Sequence, residues 1–254
     1  MEVFTLGKIS GSKHLKRLAA PESWNIPRKT FKWVVKPSPG PHAIDDCIPL
    51  QILLRDYLNL AHKSKEVKFI LSRGYVKVDG RTIRDRGFPI GLMDVVYVEK
   101  LDKYYRILPS SRGLLPHPIP LEEAQFKLRK IVGKTSLRGG HIQLNMHDGY
   151  NLMIRISDPK NPVEDQFRVH DVLKMDLYKP VILEHFKLEK EICVLITGGR
   201  NIGQWGRLVE VVPGSLTSDA FAIVEVGNGL KISTILDYIF PIGYDKPCIS
   251  LPGG

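Results

Sequence analysis

The part of the chain beyond residue 106 is divided into short apolar segments by frequent turn signals, and this pattern strongly limits its possible folds. Residues 142–146 alternate between apolar and polar up to an Asp-Gly pair at 148–149, and residues 152–156 alternate again. Because successive side chains of a strand point to opposite faces, these segments predict a hairpin with one apolar face. A Gly-Asn-Gly turn at 227–229 is flanked in the same way. Short strands joined by glycine and proline turns are typical of small barrels or sandwiches, which we expect here.

Residues 50–61 instead repeat their apolar side chains at helical spacing, which predicts an amphipathic helix. A second helix is predicted to begin at Ser64 and to stop at Gly74, because glycine is favoured just past a helix C-terminus. An Asp-Gly pair at 79–80 then predicts a tight turn, and the segment 94–98, in which three valines and a tyrosine follow Asp94, predicts a strand. This region is therefore expected to form two helices followed by a small sheet.

The charge of the chain points to a polyanionic partner. Its formal net charge of +10 favours nucleic acid or an anionic membrane surface. An apolar run of about eighteen residues and a convincing basic amphipathic helix are both lacking, so no membrane partner is expected. The N-terminus also lacks the apolar core of a secretory signal, which predicts a soluble intracellular protein.

The three cysteines, Cys47, Cys193 and Cys248, are far apart and form no Cys-x-x-Cys pair. This spacing indicates neither a disulfide framework nor a zinc finger. We therefore expect reduced and mostly buried thiols, and no bound metal.

The first forty residues contain eight lysines and arginines against two glutamates, together with four prolines. Such a segment is expected to be an extended arm that is disordered until it meets its partner. Trp24, Phe31 and Trp33 are interleaved with the charges and either stack on RNA bases or anchor the arm to its own globular body. The arm residues that we predict to contact RNA are Lys13, His14, Lys16, Arg17, Trp24, Arg28, Lys29, Lys32, Trp33 and Lys36.

The motifs that would indicate catalysis are incomplete. The Gly-Lys-Thr at 133–135 resembles the end of a phosphate-binding loop, but Leu128 stands where the motif requires glycine. The chain has no His-Glu-x-x-His and no Gly-x-Ser-x-Gly motif. The acidic pairs at 45–46 and 122–123 lie where helix starts attract carboxylates, the second at the head of a short helix predicted over 121–129. We therefore expect no enzyme activity, cofactor or small-molecule substrate.

Residues 192–209 predict a strand, a glycine-bearing loop, a further glycine and a second strand. Gly206 is expected to supply a positive φ or a close backbone approach, while the loop offers Arg200, Asn201 and Trp205 to a ligand. The stretch resembles the short motif shared by ribosomal proteins and transcription elongation factors, which is carried on an SH3-like barrel. The alternative is that these glycines merely close a tight turn.

Four segments, read together, resemble one family. They lie at 13–21, 37–42, 91–96 and 246–252, and the His-Asp-Gly at 147–149 is found in its expected order between the last two. The chain is similar in these segments to the S-four-e family of small-subunit ribosomal proteins of archaea and eukaryotes. The opening ten residues depart from the short basic start of that family and remain unassigned.

The resemblance implies an α+β chain of several modules. These are a basic arm at 1–43, a helix-helix-sheet RNA-binding module at 44–105, a central β module at 106–185 and an SH3-like barrel with the glycine-bearing loop at 186–254. In the second module we expect RNA to contact a group of basic residues, unless these form only a solvated charged face. They are Lys63, Lys65, Lys68, Arg73, Lys77, Arg81 and Arg84.

The function implied is that of a structural constituent of the small ribosomal subunit, located in the cytoplasm and bound to rRNA and to neighbouring ribosomal proteins. Two alternatives stay open. An RNA-modifying enzyme would share the helix-helix-sheet module but needs a catalytic domain, and residues beyond 106 lack the strand-helix alternation of a methyltransferase. A transcription-elongation module would explain the barrel motif but not the arm.

Overall fold

Antiparallel β-strands dominate the chain in the computed structural model, which describes residues 12, 14–158, 163–215, 219–227 and 229–252. Within these residues the longer helical segments lie at 50–57 and 64–72, and the other helices are single 3₁₀ turns. The predicted α+β class is therefore correct only in part, because the chain is mostly β with few helices.

The arm forms a small ribbon that packs on the rest of the chain. Strands β1 (Leu15–Lys16) and β2 (Trp33–Val34) pair antiparallel. Between them, Trp24 is only 1% exposed and donates its indole N–H to the carbonyl of Cys47 at 2.6 Å. The predicted disorder of the free arm is wrong for its described residues, because this indole completes the core of the neighbouring helices.

The predicted helix-helix unit is confirmed, with a shorter first helix. Strand β3 (Cys47–Pro49) leads into α1 (Leu50–Ile52), which continues as a π-helical turn over Leu53–Tyr57. Helix α2 (Ser64–Ser72) follows, and Gly74 ends it with a φ of 78° as predicted. The apolar faces of both helices meet in one buried cluster, as amphipathic spacing requires.

The first sheet runs from the second helix to residue 119. Its strands are arranged in the order β5-β4-β7-β8-β9, and β3 pairs separately with β6. The predicted module boundary at residue 105 falls inside β8, which continues the same sheet. The strands are β4 (Val76–Val78), β5 (Arg81–Thr82), β6 (Pro89–Gly91), β7 (Val95–Val98), β8 (Lys103–Ser110) and β9 (Gly113–Ile119).

The second sheet has the order β12-β11-β10-β13-β14. Its β11–β12 hairpin confirms the one predicted around residues 148–149. The helix predicted over 121–129 is wrong, because only a 3₁₀ turn forms at Glu123–Gln125 before β10 begins. The strands are β10 (Phe126–Ser136), β11 (Ile142–Met146), β12 (Asn151–Ile154), β13 (Val172–Asp176) and β14 (Ile182–Phe186).

The third sheet has the order β18-β17-β16-β15-β19 and confirms the predicted strand-loop-strand at 192–209. Its strands are β15 (Cys193–Ile196), β16 (Trp205–Val212), β17 (Phe221–Val226), β18 (Leu230–Ile235) and β19 (Ile239–Gly243). One apolar cluster joins the three five-stranded sheets, with Leu108, Leu128 and Val194 among its members from the first, second and third.

Gly206 has one of the two roles that its position suggested, which is to allow a close backbone approach. It is not among the described glycines with a positive φ, so that part of the prediction is wrong. A Cβ at this position would lie 2.2 Å from the carbonyl oxygen of Glu225 on the paired strand β17. Close backbone approach is therefore the reason why glycine is required here.

Trp24→Ala should destabilise the protein by about 3–5 kcal/mol, because it empties a core position and leaves the arm without its anchor. Trp33→Ala is the matched control and should cost under about 1 kcal/mol, because Trp33 is half exposed. Urea unfolding curves of both variants measure the difference. Equal stability of the two variants would show that the arm is not part of the core.

Gly206→Ala should lower the free energy of unfolding by about 1–3 kcal/mol, since its Cβ collides with a fixed backbone carbonyl. Gly227→Ala is the matched control, because a Cβ there meets nothing within 4 Å. Thermal melts of the two variants compare them directly. Indistinguishable melts would mean that the β16–β17 pairing is not as described.

Candidate nucleic-acid interface

Two adjoining clefts of about 680 Å³ and 760 Å³ lie between the arm ribbon and the start of α2. They share Arg17, Trp33, Arg55 and Ser64, and we call them together the arm cleft. The cleft brings arm residues and helical residues to one concave surface. The predicted RNA-contacting residues that line it are His14, Arg17, Lys32, Trp33, Lys36 and Lys63.

Trp33 and Phe31 are exposed aromatic side chains of the cleft, and Trp33 belongs to both of its parts. It is 49% exposed, and the ammonium group of Lys32 lies 5.1 Å from the centre of its ring. The ring of His14 lies beside it, with the ring centres 5.5 Å apart. An exposed indole beside a lysine ammonium group is a surface on which an unstacked base can lie.

The start of α2 forms the opposite wall. The first helical hydrogen bond there runs from the N–H of Glu66 to the carbonyl of Lys63 at 3.0 Å. The Glu66 carboxylate accepts the backbone N–H groups of His62 and Lys63, which lowers the pKa of Glu66. The hydroxyl of Ser64 accepts a hydrogen bond from the amide of Gln51 at 2.8 Å. A helix start of this kind attracts anions through its peptide N–H groups.

Three arm residues that were predicted to contact RNA stabilise the fold of the arm itself. Trp24 is in the core, so the prediction that it contacts RNA is corrected. Arg17 is 4% exposed and donates to the carbonyl of Pro27 at 2.8 Å. Arg28 donates to the carbonyls of Ala20 and Pro21, both at 2.6 Å. Guanidinium groups that donate to backbone carbonyls in this way stabilise the loop around them.

The remaining arm residues lie at the surface or outside the described chain. Lys16 and Lys29 are exposed and line a smaller groove of about 330 Å³ next to the arm cleft. Lys36 is half buried and donates to the carbonyl of Ser12. Lys13 lies outside the described residues.

The other basic residues predicted in the helical region lie on α2 or in the segment that follows it up to residue 84, and we call them together the helical face. Lys65, Lys68 and Arg73 are exposed along α2, and Arg73 lies over the ring of Phe69 at 5.3 Å. Lys77 is half buried against the ring of Tyr97. The other members of this face are Arg81 and Arg84, which are exposed.

The glycine loop at 197–204 forms the third surface. Arg200 is exposed and Asn201 is half buried, while Trp205 is 37% exposed at the start of β16. The loop packs against the β8–β9 turn, since a Cβ on Gly203 would lie 2.9 Å from the carbonyl oxygen of Pro109. The loop is thus held on the first sheet.

Arg55 and Arg86 line the arm cleft but were not among the predicted contacts. Arg55 lies in the segment 50–61 that was predicted as the first helix, and Arg86 follows the predicted Arg84 by two positions. Their basic character was visible in the sequence. Their position opposite the arm was not, because it depends on how the arm folds back.

The chain is similar to known proteins along nearly its whole length. The family described as Ribosomal family S4e matches residues 101–182, and the RS4NT (NUC023) domain matches residues 10–45. Small ribosomal subunit protein eS4 of Desulfurococcus amylolyticus is 45% identical over 98% of this chain and 99% of its own length. The protein of that name from Methanothermobacter thermautotrophicus is 44% identical over 97% of this chain and 98% of its own. The chain belongs to ribosomal family S4e.

The crystal structure of the 30S ribosomal protein S4e from Thermoplasma acidophilum has a TM-score of 0.65 to this S4e chain. Sequence identity is 32%, over 78% of this chain and 96% of that one. The family inferred from four short segments is thus confirmed. S4e proteins are ribosomal proteins and not enzymes, so the alternative of an RNA-modifying enzyme is wrong.

A buried ionic cluster fixes the first two sheets of the S4e chain against each other. The ammonium group of Lys127 on β10 lies 2.6 Å from Asp79, 2.5 Å from Asp94 and 3.0 Å from Asp148. Burial opposes a charged lysine, but these carboxylates outweigh it and raise the pKa of Lys127. Burial likewise opposes the charge of Asp94, yet Lys127 and His42 lower its pKa to about 2. Lys127 and Asp94 therefore remain charged, whereas burial raises the pKa of Asp79.

His147 sits next to this cluster as a neutral ring. Its Nδ1 accepts the backbone N–H of Lys130 at 3.1 Å, and its Nε2 lies 3.2 Å from the carbonyl of Leu92. Because an accepting Nδ1 cannot carry a proton, Nε2 must be the donor. Burial, assisted by Lys127, lowers the pKa of His147 to about 4.

A metal-binding group and a membrane-spanning helix are both absent from the described ranges. Among these residues, no group of three or more His, Cys, Asp and Glu could hold a metal ion. No helix in the same ranges is long and apolar enough to cross a membrane.

Stability should fall on acidification through the titration of His147. The unfolded chain binds the proton near pH 6.5, whereas the folded chain binds it only near 4, so the stabilisation is present above 6.5 and is lost below it. The expected loss is about 2–3 kcal/mol between about pH 7 and pH 4.5. Urea unfolding across that range measures it.

His147→Gln is the control, because glutamine offers an acceptor and a donor but does not titrate. The free energy of unfolding of this variant should therefore lack the loss that the titration of His147 causes in the parent protein over the same pH range. An unchanged pH dependence in this variant would show that His147 is not the titrating group.

Proposed function

We propose that this S4e chain is a structural constituent of the small ribosomal subunit that binds and stabilises rRNA. The observation that carries the proposal is the 45% identity to a small ribosomal subunit protein along 98% of the chain. Such a match includes the arm, the helical region and the sheets, so the whole chain shares one role.

Three surfaces would contact the rRNA: the arm cleft, the helical face and the glycine loop. Each combines exposed cations with an exposed aromatic side chain, namely Trp33, Phe69 and Trp205 respectively. Lysine and arginine neutralise phosphates and release counterions, while aromatic rings take up bases or ribose. This role is mechanical and electrostatic, and no reaction is catalysed.

The modular organisation is part of the proposal. We assign the arm to 1–43, the helix-helix-sheet module to 44–105, the central β module to 106–185 and an SH3-like barrel to 186–254. Separate second and third sheets support a division near 186. Support for a division near 106 is weaker, because β8 and β9 extend the first sheet to Ile119.

The cellular setting follows from this role. The protein would be cytoplasmic as part of the small subunit, with rRNA and neighbouring ribosomal proteins as its partners. No cofactor and no small-molecule substrate are needed, since binding alone performs the function.

The tagged protein should co-sediment near-stoichiometrically with purified small subunits. Its affinity for small-subunit rRNA should fall roughly 10³- to 10⁵-fold between about 50 and 200 mM salt, as expected for about six to ten phosphate contacts. Filter binding over a salt series measures the slope. Substoichiometric recovery together with a shallow slope would overturn the proposal.

A pair of double variants tests the helical face within this experiment. Lys65→Gln with Lys68→Gln should reduce the log–log salt slope by about two units, since each lost phosphate contact contributes about 0.9. Lys179→Gln with Lys190→Gln is the matched control, because both lysines are exposed and lie outside the three surfaces. Equal slopes in the two double variants would remove the helical face from the interface.

A further inference from the structure

We propose that the arm cleft receives a single unpaired nucleotide of the RNA, with its base against Trp33 and its phosphate at the start of α2. This inference rests on the proposed function and narrows it. It identifies the form of RNA that the cleft binds, which is an extruded nucleotide and not a continuous duplex.

The charge of the cleft suits a phosphate. Cationic side chains outnumber the acidic ones around it, where the acidic ones are Asp56 and Asp85. The excess of positive charge attracts the backbone on either side of an extruded nucleotide. The cationic side chains are Arg17, Lys32, Lys36, Arg55, Lys63 and Arg86.

The size of the cleft suits a single nucleotide. Its two parts, of about 680 Å³ and 760 Å³, have the volume of a site for a small molecule. The bases of an RNA duplex are stacked and paired, and side chains cannot read its deep major groove. A nucleotide that leaves the stack presents both its ring face and its base-pairing edge, and it can enter such a cleft.

Trp33 is held in position before any RNA arrives. It is paired with Lys16 across the arm ribbon, and the next hydrogen bond runs from the N–H of Arg17 to the carbonyl of Lys32 at 3.0 Å. The ribbon in turn is anchored by the buried indole of Trp24. A platform fixed in this way loses little conformational freedom when a base stacks on it.

Two buried polar atoms give independent support. The Nε of Arg17 and the Oε1 of Gln51 have no hydrogen-bond partner in the described part of the chain, and both residues are more than nine-tenths buried. Both residues line the cleft. Unpartnered buried groups of this kind are rare and call for a missing partner. A nucleotide supplies both kinds of partner, since its phosphate accepts hydrogen bonds and its base or 2′-hydroxyl donates them.

The start of α2 supplies the phosphate site. The peptide N–H groups of Ser64 and Lys65 precede the first helical hydrogen bond, so the helix itself provides no acceptor for them. Arg55 lines the same wall and is half buried, with its guanidinium paired to Asp56 at 2.7 Å. Ser64 and Arg55 both line the cleft, and a helix start beside a guanidinium group suits an anion.

Three RNA probes test the inference with the full-length protein. They are a perfectly paired RNA hairpin, the same hairpin with one extra unpaired nucleotide, and that hairpin with an abasic residue in place of the unpaired nucleotide. The protein should bind the second probe about ten- to hundredfold more tightly than the other two, because base stacking on an aromatic ring supplies that difference. Fluorescence anisotropy measures the three dissociation constants.

Trp33→Leu should abolish this preference while leaving affinity for the paired hairpin within about twofold, and Trp33→Phe should restore most of it. Trp205→Leu is the matched control, since it removes the exposed indole of the glycine loop, and it should retain the preference. A thermal melt of each variant confirms that it folds.

The outcomes separate this inference from the proposed function. Equal affinity for the three probes, or a preference that survives in Trp33→Leu, overturns the inference while leaving the rRNA-binding role intact. Failure to bind any of the three probes, together with failure to co-sediment with small subunits, overturns both.

Discussion

The ammonium group of Lys127, surrounded by carboxylates from two different sheets, is the interaction on which the arrangement of the chain depends. Removing a charge from water costs several kcal/mol, and a buried ion is tolerated only when it is paired. Asp79 and Asp94 come from the first sheet, whereas Lys127 and Asp148 belong to the second, so the first-sheet carboxylates reach the ammonium group only when the two sheets meet. Both sheets must therefore meet in one orientation.

The same cluster extends to the arm and so to the proposed interface. His42, near the end of the arm, places its Nε2 3.0 Å from Asp94, and Arg129 donates to Asp148 at 2.8 Å. Near the middle of the arm, Trp24 fills the core of the helices. The described part of the arm is therefore fixed at two points, and the cleft beside it exists in the free protein. Preorganisation of this kind reduces the ordering entropy that RNA binding must overcome.

Sequence reasoning failed at the arm for a definite physical reason. Its four prolines and its excess of lysine and arginine are the composition of a disordered segment, and no local pattern contradicts this. The decisive contact is between Trp24 and the carbonyl of Cys47, twenty-three positions away along the chain. Composition measures how much apolar surface a segment offers, but not whether another part of the chain has a complementary cavity. Arg55 and Arg86 were missed for the same reason.

The sequence by itself determined the elements whose signals are local. The Asp-Gly turns, the glycine after α2 and the alternating strands depend on residues within a few positions of each other, where backbone sterics and side-chain periodicity decide the outcome. The family was equally visible in four short segments. Tertiary structure alone decided the role of Gly206, the burial of Trp24 and Arg17, and the pairing of Lys127 with two sheets. Each of these depends on a contact between residues distant in sequence, and such contacts are fixed by the packing of the whole chain and not by any local pattern.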